Sequence, residues 1–101
     1  TDNTFIGAVS GGGTWTDAAS NFNIGVGNYT MDAAMAGALG NTAVGYASLS
    51  GLTTGDYNLS SGYLAGGANT TGFSNVILGA FAGDLMTTSS YNVLVIKQVM
   101  R

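Results

Sequence analysis

Short apolar triplets recur along the chain, each opened by an asparagine and most closed by a glycine. Asn41-Thr42-Ala43-Val44-Gly45 is followed by Asn58-Leu59-Ser60-Ser61-Gly62, by Asn75-Val76-Ile77-Leu78-Gly79 and by Asn92-Val93-Leu94-Val95-Ile96. These asparagines step by 17 residues. A second marker keeps the same period: Thr53-Thr54-Gly55, Thr70-Thr71-Gly72 and Thr87-Thr88-Ser89. Upstream, Asn3-Thr4-Phe5-Ile6-Gly7 and Asn23-Ile24-Gly25-Val26-Gly27 fit the same frame. Their spacings of 20 and 18 residues place the extra residues of the first units in loops. The pattern describes one domain: longer, irregular units over 1–40, regular repeats over 41–91, and a last rung over 92–101 that leads into a further segment.

Helical repeats need roughly 33 residues or more, so a unit this short does not hold a helix pair. It suits one turn of a β-solenoid, a β-roll of about six short rungs. At ~4.8 Å between strands the stack is about 29 Å tall. In this reading Gly7, Gly27, Gly45, Gly62 and Gly79 supply positive φ at the corners. Asn3, Asn23, Asn41, Asn58, Asn75 and Asn92 tolerate the same backbone region and form ladders with their copies. Strand residues alternate between faces. The third position after each asparagine, Ile6, Val26, Val44, Leu78 and Val95, is the candidate core. Val76-Ile77-Leu78 and Val93-Leu94-Val95-Ile96 are apolar on both faces, the mark of a strand covered on both sides. The second cover must come from outside the rung, from another copy or a neighbouring domain. The stretch Met31–Leu39 admits a short helical turn inside one unit. No polar capping element is visible, and open solenoid ends need one, so the chain reads as a section of a longer rod.

Composition narrows the function. Gly, Ala, Ser, Thr and Asn supply about 60 of the 101 residues, and only 7% are charged. Lys97 and Arg101 are the only cations, too few to neutralise phosphates, so nucleic-acid binding is not expected. There is no His, Cys or Glu, which removes the imidazole base, the thiol nucleophile and the usual nitrogen and sulfur metal ligands. An enzyme, a cofactor and a metal site are therefore not expected. With 46% hydrophobic residues the chain is too apolar for disorder. It has no uncharged apolar run of membrane-spanning length, and no basic leader precedes the repeats.

The units over 41–57 and 58–74 resemble the repeats of bacteriophage tail fibres. They are also similar to the head repeats of trimeric autotransporter adhesins. The stretch Asn41-Thr42-Ala43-Val44-Gly45-Tyr46-Ala47-Ser48-Leu49, with Thr53-Thr54-Gly55 after it, carries the resemblance. It covers 41–96 well and 3–40 loosely. Leu59-Ser60-Ser61 departs from it by replacing the usual inward apolar residue. The resemblance implies a homotrimeric β-solenoid fibre on a virion, or at an extracellular or cell surface. Its role would be structural, positioning a tip that binds a host. Contact with a host-surface glycan or protein would lie in loops such as Ser10–Ser20, or at a tip outside this chain. A self-assembling extracellular filament, stacked through its uncapped rungs and Val93–Ile96, is the alternative. An ice-binding solenoid with regular threonine rows is a weaker one.

Candidate side chains each have a plain structural reading beside the functional one. Trp15 is the only tryptophan and lies in the longest unit. It is either a surface contact or, with Phe22 and Tyr29, a cap on the first rung. Tyr46 and Tyr63 fall in register one rung apart and, with Tyr57 and Tyr91, suggest an exposed aromatic strip. Cross-rung stacking explains them equally well. No two of the carboxylates Asp2, Asp17, Asp32, Asp56 and Asp84 lie in one repeat unit at matching offsets; Asp17 and Asp32 could meet across adjacent rungs, but the plain reading of all five is turn residues. Gly11-Gly12-Gly13 followed by Asp17 is one imperfect copy of a calcium-loop repeat. Asn28, Asn58 and Asn69 each open an Asn-x-Ser/Thr sequence, expected by chance in so polar a chain.

Overall fold

The computed structural model describes residues 2–13 and 19–96. Trp15, Asp17, Lys97 and Arg101 lie outside the described residues. Six three-residue strands follow one another: β1 (Thr4–Ile6), β2 (Ile24–Val26), β3 (Thr42–Val44), β4 (Leu59–Ser61), β5 (Val76–Leu78) and β6 (Val93–Val95). They form one parallel sheet in chain order. Parallel pairing of consecutive strands requires the chain to circle once between them. The protein is thus an all-β parallel β-solenoid of about five turns. The register is the one set by the asparagines, with Ala43 beside Ser60 and Ser60 beside Ile77.

Glycine ends the strand for a steric reason. Gly7, Gly27, Gly45, Gly62 and Gly79 have φ between 117° and 138°, a range that side chains disfavour. They also stack one upon another. A Cβ on Gly45 would lie 2.7 Å from the carbonyl oxygen of Gly62, and one on Gly62 would lie 2.7 Å from that of Gly79. The column ends at Ile96, which occupies the glycine position without positive φ. After the glycine come two tight turns. In the third rung the N–H of Ser48 donates to the Gly45 carbonyl and that of Ser50 to the Ala47 carbonyl. Ala47 and Leu49, third in each turn, are left-handed, the type II arrangement. No helix forms over Met31–Leu39. That segment runs irregularly, with Met31, Ala33 and Ala36 donating to the carbonyls of Ser48, Ser50 and Thr53 in the next rung.

The core row is the second position, not the third. Gly25, Ala43, Ser60 and Ile77 are buried, whereas Ile6 is 61%, Val44 40% and Val95 70% exposed. Val26 is exposed and Leu78 half-buried. The ladder asparagine sets the phase. Its side chain points inward, so the residue two places on points inward as well, and the first and third point out. The inner row is large at its two ends, Phe5 and then Ile77 and Leu94, and small between them, at Gly25, Ala43 and Ser60. Phe5 fills the space a Gly25 side chain would need, with Phe5 Cδ1 2.7 Å from the place of its Cβ. Phe5 also packs on a cluster of Met31, Met35, Ala38, Ala43, Leu49 and Leu52, while Ala65, Ile77 and Ala82 form a second one. Ser60 is buried with its hydroxyl donating to the Ala65 carbonyl at 2.9 Å, which settles how that rung packs.

Candidate functional site

A polar spine runs the height of the stack. The Oδ1 of Asn3, Asn23, Asn41, Asn58 and Asn75 accepts from the backbone N–H and the Nδ2 of the asparagine in the next rung, at 2.8–3.1 Å. The Nδ2 of Asn3, Asn23, Asn41, Asn58 and Asn75 also donates to the carbonyls of Ser20, Ala38, Gly55, Gly72 and Ser89. Asn92 donates instead to the Ser90 carbonyl. Asn23, Asn41, Asn58 and Asn75 are buried, and their amides use both donors and both acceptor positions. The asparagines do not have positive φ. The left-handed residue is the one before each of them, Asp2, Phe22, Gly40, Tyr57, Ser74 and Tyr91, at φ 56–63°. This spine is architecture and offers no open polar group to a ligand.

The outward face of the sheet is different in kind. Its two columns are Thr4, Ile24, Thr42, Leu59, Val76 and Val93, and Ile6, Val26, Val44, Ser61, Leu78 and Val95. Nine of these twelve side chains are aliphatic and none is charged. The six rungs make the face about 25–30 Å tall at ~4.8 Å per strand. Proteins that work as monomers seldom leave contiguous apolar patches of more than a few hundred Å² in water. This is the surface on the molecule best suited to a partner.

Aromatic residues bracket the strands at both corners. On the glycine side Tyr29, Tyr46, Tyr63 and Phe81 form a continuous column. Tyr46 and Tyr63 stack with centroids 5.3 Å apart, and Tyr29 and Phe81 close the ends edge-on. On the asparagine side stand Phe22, Tyr57 and Tyr91. Tyr57 lies over Gly40, and Tyr91 meets Phe73 edge-on. The single strip expected from Tyr46, Tyr63, Tyr57 and Tyr91 is therefore two separate columns, because Tyr57 and Tyr91 precede the asparagine while Tyr46 and Tyr63 follow the glycine. Tyr29 belongs to the first column rather than to a cap on the first rung.

The threonine rows serve the fold. The hydroxyl and N–H of Thr53 both donate to the Thr70 carbonyl, and those of Thr70 to the Thr87 carbonyl. Asp56 accepts from the N–H of Leu39 at 2.9 Å, and the Ser90 hydroxyl plays the same part for Phe73. Of the three glycosylation-like sequences, those at Asn58 and Asn69 are buried and only Asn28 is exposed. Among the described residues no cluster of carboxylates has the geometry of a metal site, and no helix is long and apolar enough to cross a membrane. Comparison of the chain with family models, curated proteins and solved structures finds no match.

Proposed function

We propose that this chain is a structural section of a fibre on a virion, or at an extracellular or cell surface. Three copies join along their outward sheet faces into a rigid rod that holds a host-binding tip at a distance. The observation that carries this reading is the uncharged, aliphatic outer face of β1–β6. Burying it against copies of itself gains roughly 25 cal/mol per Å² of apolar surface. A parallel solenoid also supplies the stiffness a spacer needs, since every rung is hydrogen-bonded to the next on several sides. The number three follows from the resemblance to tail-fibre repeats.

Lateral association is favoured over axial stacking by one detail. The glycine column that lets rungs approach closely ends at Ile96. A further rung on β6 would not find the positive-φ glycine on which the other rungs stack. Light scattering on a sizing column, across a range of concentrations, tests the proposal. A fixed mass of three chains is the expected result. A ladder of masses growing with concentration would replace the rod by a stacking filament, and a monomer at all concentrations would overturn it.

A further inference from the structure

The chain has no cysteine, so its rungs cannot be tied by disulfides. It does hold one residue pair with the chemistry and placement for another covalent tie. We infer that Tyr46 and Tyr63 form an oxidative cross-linking site, at which a one-electron oxidant of the peroxidase–peroxide class joins the two rings as dityrosine. Both residues sit one place after the column glycine in successive rungs, on a corner fixed by hydrogen bonds to the neighbouring turn. Their rings are 5.3 Å apart and only 16° from parallel. They are 45% and 49% exposed, open to an oxidant acting from solvent.

The geometry singles out this pair. The two rings lie face to face, each with a phenol, and a slip of one over the other is all that a Cε–Cε bond asks. Tyr29 meets Tyr46 edge-on, at 70° and 5.6 Å, with an edge aimed at a ring face. The other neighbour of Tyr63 is Phe81, which has no phenol to oxidise. Tyr57 and Tyr91 stand in the opposite column, two rungs from one another, or about 10 Å at the strand spacing. Stacking of sugar rings on the same column is disfavoured, because Tyr46 and Tyr63 turn their faces to each other.

The step balances simply. Each phenol gives up one electron and one proton, leaving a tyrosyl radical whose spin reaches Cε. The two radicals pair as a Cε–Cε bond. The hydrogens on the joined carbons then move to the oxygens and restore both phenols. Two electrons and two protons leave in all, and one hydrogen peroxide takes them up to give two waters. The product closes one turn of the solenoid within a single chain, so the inference does not depend on how many chains the rod contains.

The test treats the full chain with a peroxidase and hydrogen peroxide, and separately with photo-oxidised ruthenium trisbipyridine and persulfate. Dityrosine fluorescence should develop while the chain keeps its single-chain mobility on a denaturing gel. The mass should fall by two hydrogens, and a peptide map should join Tyr46 to Tyr63. The signal should survive in Tyr29→Phe, Tyr57→Phe and Tyr91→Phe and be lost in both Tyr46→Phe and Tyr63→Phe. Phenylalanine keeps the ring in the column, and circular dichroism checks that each variant stays folded. Fluorescence that persists in Tyr63→Phe, cross-links found only between chains, or tyrosine consumed without dityrosine would each overturn the assignment.

Discussion

Asn58 makes four side-chain hydrogen bonds while buried: two donated, to Asn41 Oδ1 and the Gly72 carbonyl, and two accepted from Asn75. Alanine there would leave the backbone N–H and Nδ2 of Asn75 without their acceptor and remove one donor from the Gly72 carbonyl. At 1–3 kcal/mol per buried unsatisfied group, Asn58→Ala should cost roughly 3–5 kcal/mol in urea unfolding. Gly62 is constrained differently. Its φ of 138° and the 2.7 Å approach to Gly79 leave no place for a methyl group. Gly62→Ala should therefore destabilise by about 3 kcal/mol or more, and a thermal melt indistinguishable from the parent would contradict the close stacking. The importance of both positions was legible in the sequence, because identical residues recurred at one offset. Their inward and upward directions were not. Polar asparagine reads as a corner residue, and only the ladder shows that it is the best-satisfied side chain of the interior.

At the scale of the strand, Ser60 and Ser61 are alike in sequence and opposite in role. Ser60 points inward and is buried, whereas Ser61 is half-buried on the outward face. Ser60→Ala should lose about 1 kcal/mol with the hydrogen bond to Ala65. Ser61→Val should change monomer stability by less than about 0.5 kcal/mol while extending the aliphatic column. Equal effects at the two positions, measured by denaturant unfolding, would mean the strand phase is wrong. The repeat carries the strand positions and the register but not the phase: the third position is as apolar as a core row, and only the inward asparagine two places before the second position shows that the second is inside. The turns were the least legible part. Leu49, Leu64, Tyr29 and Phe81 adopt left-handed φ, for which glycine or asparagine is the usual signal. Each such residue costs roughly 1–2 kcal/mol. The hydrogen bonds between turns over-determine the corner and hold it there.

For the molecule as a whole, the outer face decides between a domain that stands alone and one that is a piece of an assembly. A charge at the centre of that face would remain hydrated in a lone solenoid and be buried in a seam. Val44→Asp should thus leave the monomer folded and abolish the larger species in sizing experiments. The most direct measurement uses the absence of cysteine, which makes an introduced thiol the only one present. Ala43→Cys and Val44→Cys place it on the two sides of β3, and its reaction rate with a thiol reagent is followed from dilute to concentrated protein under reducing pre-treatment. Position 43 should be protected throughout, while position 44 should react in dilute protein and become protected as copies associate. A thiol at 44 that reacts equally at every concentration would contradict the claim that this face is a seam between chains.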